Sequence, residues 1–433
     1  MHTRCSRYHQ TLETLSTLPE WVSLEHQVQQ LLTEQEIHGW RFDEAAAWKL
    51  TSSLSQELRE IEEALRRRHP YVGGAEFTPR RNNRTQGYAE GAPFTRLKDL
   101  NCTSRDHIAW ILTTHYGWTP TQMTTTGKPV VDEVILTEIG SEISMQFARC
   151  LTVTKMLGML SNGMNAWLKL STNDRIHHHC SVATSTHRCA HRNPNLAQVP
   201  SDERFRQLFI PSKGLVMCGA DLSGIELRML SHYLARWDSG RYADILLNGD
   251  IHQVNADKVG VTRSQIKTIS YAFLYGAGDE KIGHSYDKQL SSAKAKKKGK
   301  EIRAAYVDAI DGLSDLLDAV KKAAERGFIK SIDGRKIALD SPHKALNFLL
   351  QSGAGVVAKR WMVINNNHIK QLNLCCSQLA FVHDELQFEV DPNHAQDLCS
   401  SLVLAATEAG EYYNIRCRID AEATTGKNWS ETH

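Results

Sequence analysis

Two short apolar runs, at 215–220 and 379–382, each lead into a carboxylate where the run ends. Asp221 follows the first run directly, and Asp384 follows the second after a single histidine. Runs of this length predict buried strands. If one sheet brings the strands together, the two carboxylates can hold a pair of divalent cations ~3.5–4 Å apart, as an in-line displacement at phosphorus requires. The pattern therefore indicates a phosphoryl-transfer site.

Composition and cysteine usage narrow the class of protein. The 433 residues are 41% hydrophobic, which is typical of a globular chain with two or three subdomains. The net charge of +2 indicates no particular partner. Ten cysteines without a C-x-x-C pair predict reduced thiols rather than a disulfide framework. Because 1–30 lacks an apolar leader and no stretch approaches the ~20 apolar residues of a membrane span, we expect an intracellular, cytoplasmic protein that is neither secreted nor membrane-bound.

A helix predicted at 262–275 carries a regular stripe of side chains. Arg263, Lys267, Tyr271 and Tyr275 recur at steps of four and therefore share one face. Cations on such a face can bind phosphates, and phenol rings can pack against a sugar or base. The spacing alone fits a solvated helix face equally well. Its position between the two carboxylate strands favours a nucleotide clamp.

These three segments resemble motifs A, B and C of family A DNA polymerases, in the family's order. The motifs are Asp-x-Ser-x-x-Glu-Leu-Arg at 221–228, Arg-x-x-x-Lys-x-x-x-Tyr-x-x-x-Tyr-Gly at 263–276 and Val-His-Asp-Glu at 382–385. The flanking segments 195–198, 248–252 and 273–283 are most similar to replicative polymerases of short-tailed, odd-numbered T-type phages. The resemblance extends from Leu24 to Trp429 and implies template-directed DNA synthesis.

The implied fold is an α+β right-hand polymerase fold, with an antiparallel-sheet palm and a helical thumb and fingers. The expected divisions are an N-terminal extension at 1–22, thumb at 23–170, palm at 171–237, fingers at 238–340 and palm again at 341–433. Within the thumb, the tip insertion 71–101 is expected to be an exposed basic loop. A final strand is expected near 414–421.

The resemblance implies a catalytic role for the carboxylates and for one lysine. Asp221 and Asp384 would ligate two Mg²⁺ ions, with help from the Leu222 carbonyl, and Mn²⁺ is a candidate substitute. Glu385 would lie beside the ions and tune the site. Lys267 would also donate a proton to the leaving pyrophosphate.

A second implied set would bind the incoming deoxynucleoside triphosphate. Its members are Arg263, Lys267, His252, Tyr271, Glu226 and Tyr275. The cationic members and the histidine would hold the triphosphate. Glu226 would lie against the sugar 2′ position and exclude ribonucleotides, while Tyr271 would sense the 3′-hydroxyl. Tyr275 would stack near the templating base.

A third implied set would contact DNA. The helix predicted at 342–370 carries His343, Asn347 and Gln351 at steps of four. Positions matching Asn347 and Gln351 read minor-groove acceptors, which are nearly the same for all base pairs. The other implied DNA contacts are Arg188, Gln198 and, at the primer terminus, His383.

Three departures from the family pattern change the expected function. No Asp-x-Glu strand precedes Leu24, so we expect no proofreading from this polypeptide and consider a separate exonuclease a candidate partner. The thumb insertion is reduced to roughly 73–93, which predicts low processivity unless a processivity factor binds. The family's Thr-Gly-Arg reads Thr186-His187-Arg188, where a bulky ring replaces a flexible glycine.

The implied partners are primer-template DNA and deoxynucleoside triphosphates, with the chain as a monomer. One alternative is a single-subunit RNA polymerase, which shares the palm; Glu226 argues against it. Another is a catalytically idle primer-template scaffold, and the intact pair Asp221 and Asp384 argues against that.

A separate run, His177-His178-His179-Cys180, contains residue types that bind zinc. Adjacent residues of a strand point to opposite faces, and the family has no zinc at this position. We therefore expect no metal from this run.

Overall fold

The computed structural model describes residues 18–182, 184–288 and 290–433. The chain divides into two compact units, one formed by Met1–Glu44 with Leu170–His433 and the other by Ala45–Lys169. Residues 1–17 of the predicted extension 1–22 lie outside the described residues.

The described part of the chain contains both helices and strands, with seven helices in succession between Ile225 and Ala324. The α-helices are α1 (Glu20–His38), α2 (Glu44–Arg68), α3 (Arg105–Tyr116), α4 (Glu133–Ile139), α5 (Glu142–Leu157), α6 (Trp167–Leu170), α7 (Glu203–Arg206), α8 (Ile225–Leu234), α9 (Arg241–Asn248), α10 (Ile251–Val259), α11 (Arg263–Leu274), α12 (Asp279–Tyr286), α13 (Ser292–Ala309), α14 (Leu313–Ala324), α15 (Ala345–Gln371) and α16 (Ala395–Tyr412). The strands are β1 (Trp40–Arg41), β2 (Tyr71–Phe77), β3 (Phe94–Asp99), β4 (Arg175–Ile176), β5 (His179–Ser181), β6 (Ala190–Arg192), β7 (Val216–Leu222), β8 (Phe328–Lys330), β9 (Lys336–Ala338), β10 (Cys376–Val382), β11 (Glu385–Val390) and β12 (Ala421–Gly426).

A four-stranded antiparallel sheet, in the order β10-β11-β7-β12, belongs to the first unit. The apolar run before Asp221 forms β7, as its composition predicts. In the sheet register Asp221 lies opposite Glu385 on β11 and Glu422 on β12. The predicted α+β class and the antiparallel sheet are confirmed.

The two faces of β7 meet different neighbours. On one face Cys218 packs against Cys399 of α16, with their Sγ atoms 3.3 Å apart. On the other face Gly219 leaves room for the Gln387 side chain and the Thr432 backbone, with which a Cβ atom would collide. Packing on both faces therefore holds the strand that ends at the first carboxylate.

Long helices complete the core of the first unit. The middle of α15 is buried, and its Trp361 Nε1 donates a hydrogen bond to the Leu402 carbonyl of α16 at 2.8 Å. Helix α1 packs against α15 and β10. Among the described helices, none combines the length and apolar character that crossing a bilayer requires.

The unit Ala45–Lys169 has its own core, which includes Leu65, Ile108 and Phe147. Within it, 71–101 is largely a β-hairpin rather than the expected loop, because β2 and β3 pair antiparallel. An exposed cluster of aromatic rings joins the strands: the Phe77 centroid lies 5.7 Å from Phe94. Cross-strand aromatic pairs of this kind stabilise hairpins. The Gly- and Arg-rich composition of the segment favours a loop, so the sequence did not predict the pairing.

The final strand is β12, Ala421–Gly426, so the prediction of a strand near 414–421 is wrong. The apolar residues of the earlier segment, Cys417 and Ile419, are buried without strand pairing. β12 is an edge strand rich in threonine, and its pairing with β7 comes from tertiary contact rather than from a local apolar run.

Candidate active site

Two of the predicted metal-binding carboxylates lie at one end of the central sheet. Asp221 occupies the penultimate position of β7, and a two-residue turn, His383-Asp384, connects β10 to β11. The Leu222 amide donates a hydrogen bond to the Asp384 carbonyl at 3.0 Å, which joins this turn to β7. The fold thus brings both carboxylates and Leu222 to one site, where their metal-binding role is a prediction.

The turn that carries Asp384 has an uncommon conformation. His383 has φ 60, in the left-handed region, and it occupies the first central position of a two-residue hairpin turn, where glycine is usual. For a non-glycine residue this conformation costs about 1–2 kcal/mol. The His383 ring contacts the edge of His191, with centroids 5.8 Å apart, so the turn is fixed by its surroundings.

The electrostatics of the pair favour a counter-cation. Partial burial, followed by the negative charges of Asp384 and Glu385, raises the pKa of Asp221 to about 7. Burial and then the charge of Glu226 raise the pKa of Asp384 to about 6, although Arg188 opposes the shift. Both carboxyls therefore bind protons more readily than an ordinary aspartate, and a divalent cation would compete with those protons.

The pH dependence of metal binding follows from these shifts. In the folded chain the pKa values rise above the usual 3.8, so the metal-free protein loses stability as pH rises from about 4 to about 7. Mg²⁺ binding should release protons and weaken as pH falls through 7 and then 6. Isothermal titration with Mg²⁺ across this range measures the effect, and Asp221→Asn should flatten it. A Kd for Mg²⁺ that is unchanged across the range would contradict the shared site.

Glu385, predicted to lie beside the ions, is buried and already has hydrogen-bond partners. Its Oε1 accepts from Trp429 Nε1 at 2.5 Å and from Gln387 Nε2 at 2.8 Å. Its Oε2 lies 3.0 Å from His433 Nδ1. Glu385 therefore connects the sheet to the last residues of the chain, and no sequence pattern indicated Trp429 or His433 as parts of the site.

Glu226 joins two other predicted residues. Its Oε1 accepts a hydrogen bond from Arg188 Nη2 at 2.8 Å and another from the Tyr275 hydroxyl at 2.7 Å. Glu226 is the second residue of α8, which begins shortly after Asp221, and it is 8% exposed. Arg188, together with Tyr275 of motif B, thus holds the Glu226 carboxylate of motif A in one position.

The predicted cationic stripe lies on α11. Arg263 Nε donates a hydrogen bond to Asp250 Oδ2 at 2.7 Å, and both side chains are about half exposed. Lys267, one turn later, is exposed and has no ion-pair partner in the described part of the chain. An anion could therefore bind Lys267 directly and reach Arg263 by displacing a single exposed carboxylate.

A cavity of about 380 Å³ lies beside this stripe. Its lining includes Ser223 and Gly224 from the segment after β7, together with His252, Arg263 and Tyr271. The rings of His252 and Tyr271 lie 6.4 Å apart. Burial and the nearby Arg263 lower the pKa of His252, so this ring is neutral at pH 7.

The predicted DNA-contact residues near α15 do not all share one helix. His343 lies in a 3₁₀ turn, Pro342–Lys344, before α15 begins. Asn347 Nδ2 donates to the Leu274 carbonyl at 2.9 Å, which links α15 to the end of α11. Gln351 follows one turn later on α15, and Gln198 is exposed in the 3₁₀ turn Leu196–Gln198.

The structure explains how a histidine replaces glycine before Arg188. His187 has φ 61, the left-handed conformation that glycine adopts freely. Its Nδ1 lies 2.6 Å from Ser352 Oγ of α15. One turn later on α15, a Cβ added at Gly355 would lie 3.2 Å from the His187 carbonyl oxygen. The backbone conformation at this position therefore suits glycine. In this chain the contact between the His187 ring and Ser352 holds a histidine in that conformation.

We expect His187→Gly and His187→Val to differ sharply. Glycine loses the hydrogen bond to Ser352 but removes the left-handed strain, each about 1 kcal/mol, so the free energy of unfolding should change by less than about 1 kcal/mol. Valine loses the bond and keeps a β-branched residue at positive φ, which should cost about 2 kcal/mol or more. Urea denaturation measures both, and Ser352→Ala gives an upper limit for the bond, because it also removes the 2.7 Å hydrogen bond between Ser352 Oγ and Ser331 Oγ. Equal losses of stability for glycine and valine would mean that the hydrogen bond to Ser352 determines the stability and that the backbone conformation at residue 187 does not.

An antiparallel sheet that carries two carboxylates at one end, beside a helix with exposed cations, defines a nucleotidyltransferase of the polymerase type. The model of DNA polymerase family A matches residues 80–431. The DNA-directed DNA polymerase of Enterobacteria phage T3 is 32% identical, over 96% of this chain and 70% of that protein. The corresponding enzyme of Escherichia phage T7 is 31% identical over the same shares.

A solved structure agrees in fold. The POL domain of Pol1 from M. smegmatis, in complex with DNA primer-template and dNTP, matches with a TM-score of 0.75 at 22% identity, over 94% of this chain and 70% of that one. The chain therefore belongs to DNA polymerase family A and is a DNA-directed DNA polymerase. The predicted family, right-hand fold and enzyme class are confirmed.

Proposed function

We propose that this chain extends the 3′-hydroxyl of a DNA primer along a template by two-metal-ion phosphoryl transfer, with deoxynucleoside triphosphates as substrates. The observation that carries the proposal is the position of Asp221 and Asp384 at one sheet end, joined through Leu222. The palm is assigned to this sheet, the fingers to 238–340 and the thumb to 23–170, of which Ala45–Lys169 forms the second compact unit.

The residues at the sheet end suit hard divalent cations. Neither Asp221 nor Asp384 has an ion-pair partner within the described ranges, and burial together with nearby negative charge raises the pKa of each. Carboxylate and carbonyl oxygens are the ligands that Mg²⁺ and Mn²⁺ prefer. When bound, the cations would lower the pKa of the primer hydroxyl and neutralise charge on the phosphates.

The protein's own side chains would bind and orient the triphosphate. Lys267 would contact the phosphates and give a proton to the leaving pyrophosphate. Arg263 would exchange its ion pair with Asp250 for one with a phosphate oxygen, a charge-assisted bond of the same kind. His252 would donate one further hydrogen bond from the wall of the same cavity. These groups act by positioning and charge neutralisation.

The duplex would lie along the residues that surround Glu226. Arg188 and His383 would contact the primer, while Asn347 and Gln351 would face the minor groove of the new pair. The buried Glu226 would favour deoxyribose, because a 2′-hydroxyl would meet this carboxylate and its two hydrogen-bond donors, Arg188 and Tyr275.

Primer extension tests the proposal. A 5′-labelled primer on a longer template is incubated with Mg²⁺ and deoxynucleotides, with ribonucleotides, or with no nucleotide. Extension with deoxynucleotides alone supports the proposal, and extension with ribonucleotides would favour an RNA polymerase. No extension in any lane would contradict it. The lane without nucleotide checks the prediction that this polypeptide does not shorten primers.

A further inference from the structure

A cluster of metal-binding side chains that the proposed polymerase mechanism does not use lies on the β5–β6 hairpin, next to His383. His178, Cys180 and His191 are all buried, and one ligand atom from each lies within 4.8 Å of the others. Cys180 pairs directly with His191 across the hairpin, and its Sγ lies 3.1 Å from His191 Nδ1. His178, two residues before Cys180, lies on the same face.

We expected no metal at the histidine run because adjacent residues of a strand point to opposite faces. His177 and His179 do point elsewhere, since their Nδ1 atoms lie 2.7 Å from the Glu36 carbonyl and 2.8 Å from the Glu36 carboxylate. The cluster instead uses alternate residues of the run together with a cross-strand histidine. The expectation did not consider this arrangement.

The buried imidazoles have unused nitrogen atoms. His178 Nδ1 and His191 Nε2 have no hydrogen-bond partner among the described residues, although both residues are at least 90% buried. An unsatisfied buried polar atom destabilises the fold. The nitrogen atoms that face Cys180 and Gln35 are the opposite ones, His191 Nδ1 and His178 Nε2, so each neutral ring can present one of these atoms to a metal while its other nitrogen carries the proton.

Gln35 of α1 supplies a fourth group. Its amide nitrogen lies 3.0 Å from His178 Nε2 and 3.7 Å from Cys180 Sγ. The two ends of an amide are interchangeable in shape, so a half-turn would direct the oxygen at the cluster. The matching half-turn of Gln378, whose amide nitrogen donates to Gln35 Oε1 at 2.8 Å, would preserve the hydrogen bond between them.

We propose that Cys180, His178 and His191, with the Gln35 amide oxygen, bind one Zn²⁺ ion in a structural site. A thiolate with two neutral imidazoles is a ligand set typical of Zn²⁺, and tetrahedral bonds of 2.0–2.3 Å place ligand atoms about 3.3–3.7 Å apart. Binding replaces the Cys180 thiol proton, which is released to solvent, and changes no oxidation state. The ion would tie α1 to the hairpin whose loop carries Arg188.

Metal titration tests this proposal without any reliance on DNA synthesis. Full-length protein is stripped with a chelator and titrated with Zn²⁺ against a chromogenic competitor, and with Co²⁺, which gives a thiolate charge-transfer absorption. We expect one Zn²⁺ per chain at submicromolar Kd and a cobalt–thiolate band. Cys180→Ser should abolish the band, and His191→Asn should weaken Zn²⁺ binding at least tenfold.

Two controls keep the outcome decisive. Cys375→Ser removes an exposed thiol away from the cluster and should leave both signals unchanged. If Cys180→Ser does not fold, the wild-type titration alone decides, because absence of stoichiometric Zn²⁺ binding overturns the proposal. A cobalt band that persists in a folded Cys180→Ser variant would also overturn it, since another cysteine would then supply the thiolate.

Discussion

Asp384→Asn should lower the rate of primer extension by about 10³-fold or more, because one shared ligand of both proposed cations loses its charge. Binding of primer-template DNA should be nearly unchanged, since the proposed duplex contacts lie on other side chains. Single-turnover extension and equilibrium DNA binding measure the two effects separately. Asp397→Asn makes the same substitution at an exposed position of α16 and serves as the matched control.

The same variant should change stability in the opposite direction. Burial raises the pKa of Asp384 to about 6 and the pKa of Asp221 to about 7, and the charge of Asp384 contributes to the shift of Asp221. Above pH 7 without metal, Asp384→Asn should therefore raise the melting temperature, and added Mg²⁺ should stabilise it less than wild type. Wild-type activity in the variant would refute the two-metal assignment, whatever its stability.

The sequence predicts Asp221 and Asp384 because each position is determined locally. An apolar run predicts a strand, and the carboxylate at its end then lies at the edge of whichever sheet the strand joins. The stripe on α11 is local in the same sense, since a step of four residues fixes a common face. Turns, caps and strands of this kind need no knowledge of distant partners.

The remaining features depend on residues that are remote in the chain. Trp429 and His433 lie 44 and 48 residues beyond Glu385. They follow the edge strand β12, which contains no apolar run that would predict it. Likewise, His187 is anchored by Ser352, 165 residues away, which no spacing rule reveals. Tertiary packing determines these contacts, so a single sequence without its fold does not predict them.

Glu226→Ala should increase ribonucleotide incorporation on the order of 10²-fold relative to deoxynucleotides. A site that excludes a hydroxyl by steric contact, and by the cost of leaving buried polar groups unpaired, can discriminate to at least this extent. The substitution opens space at the sugar 2′ position. It also leaves the Arg188 guanidinium and the Tyr275 hydroxyl without their shared acceptor, so a loss of stability of about 1–3 kcal/mol should accompany the change.

Glu226→Gln distinguishes the two origins of selectivity, because it preserves the size of the side chain and removes its charge. If steric contact excludes the ribose, Gln should retain most of the discrimination that Ala loses. If the ion pair with Arg188 positions the carboxylate, Gln should lose discrimination as well. Competitive incorporation of a ribonucleotide and its deoxynucleotide on one template measures the ratio for each variant. Unchanged selectivity in both would show that the gate against ribonucleotides lies at another residue.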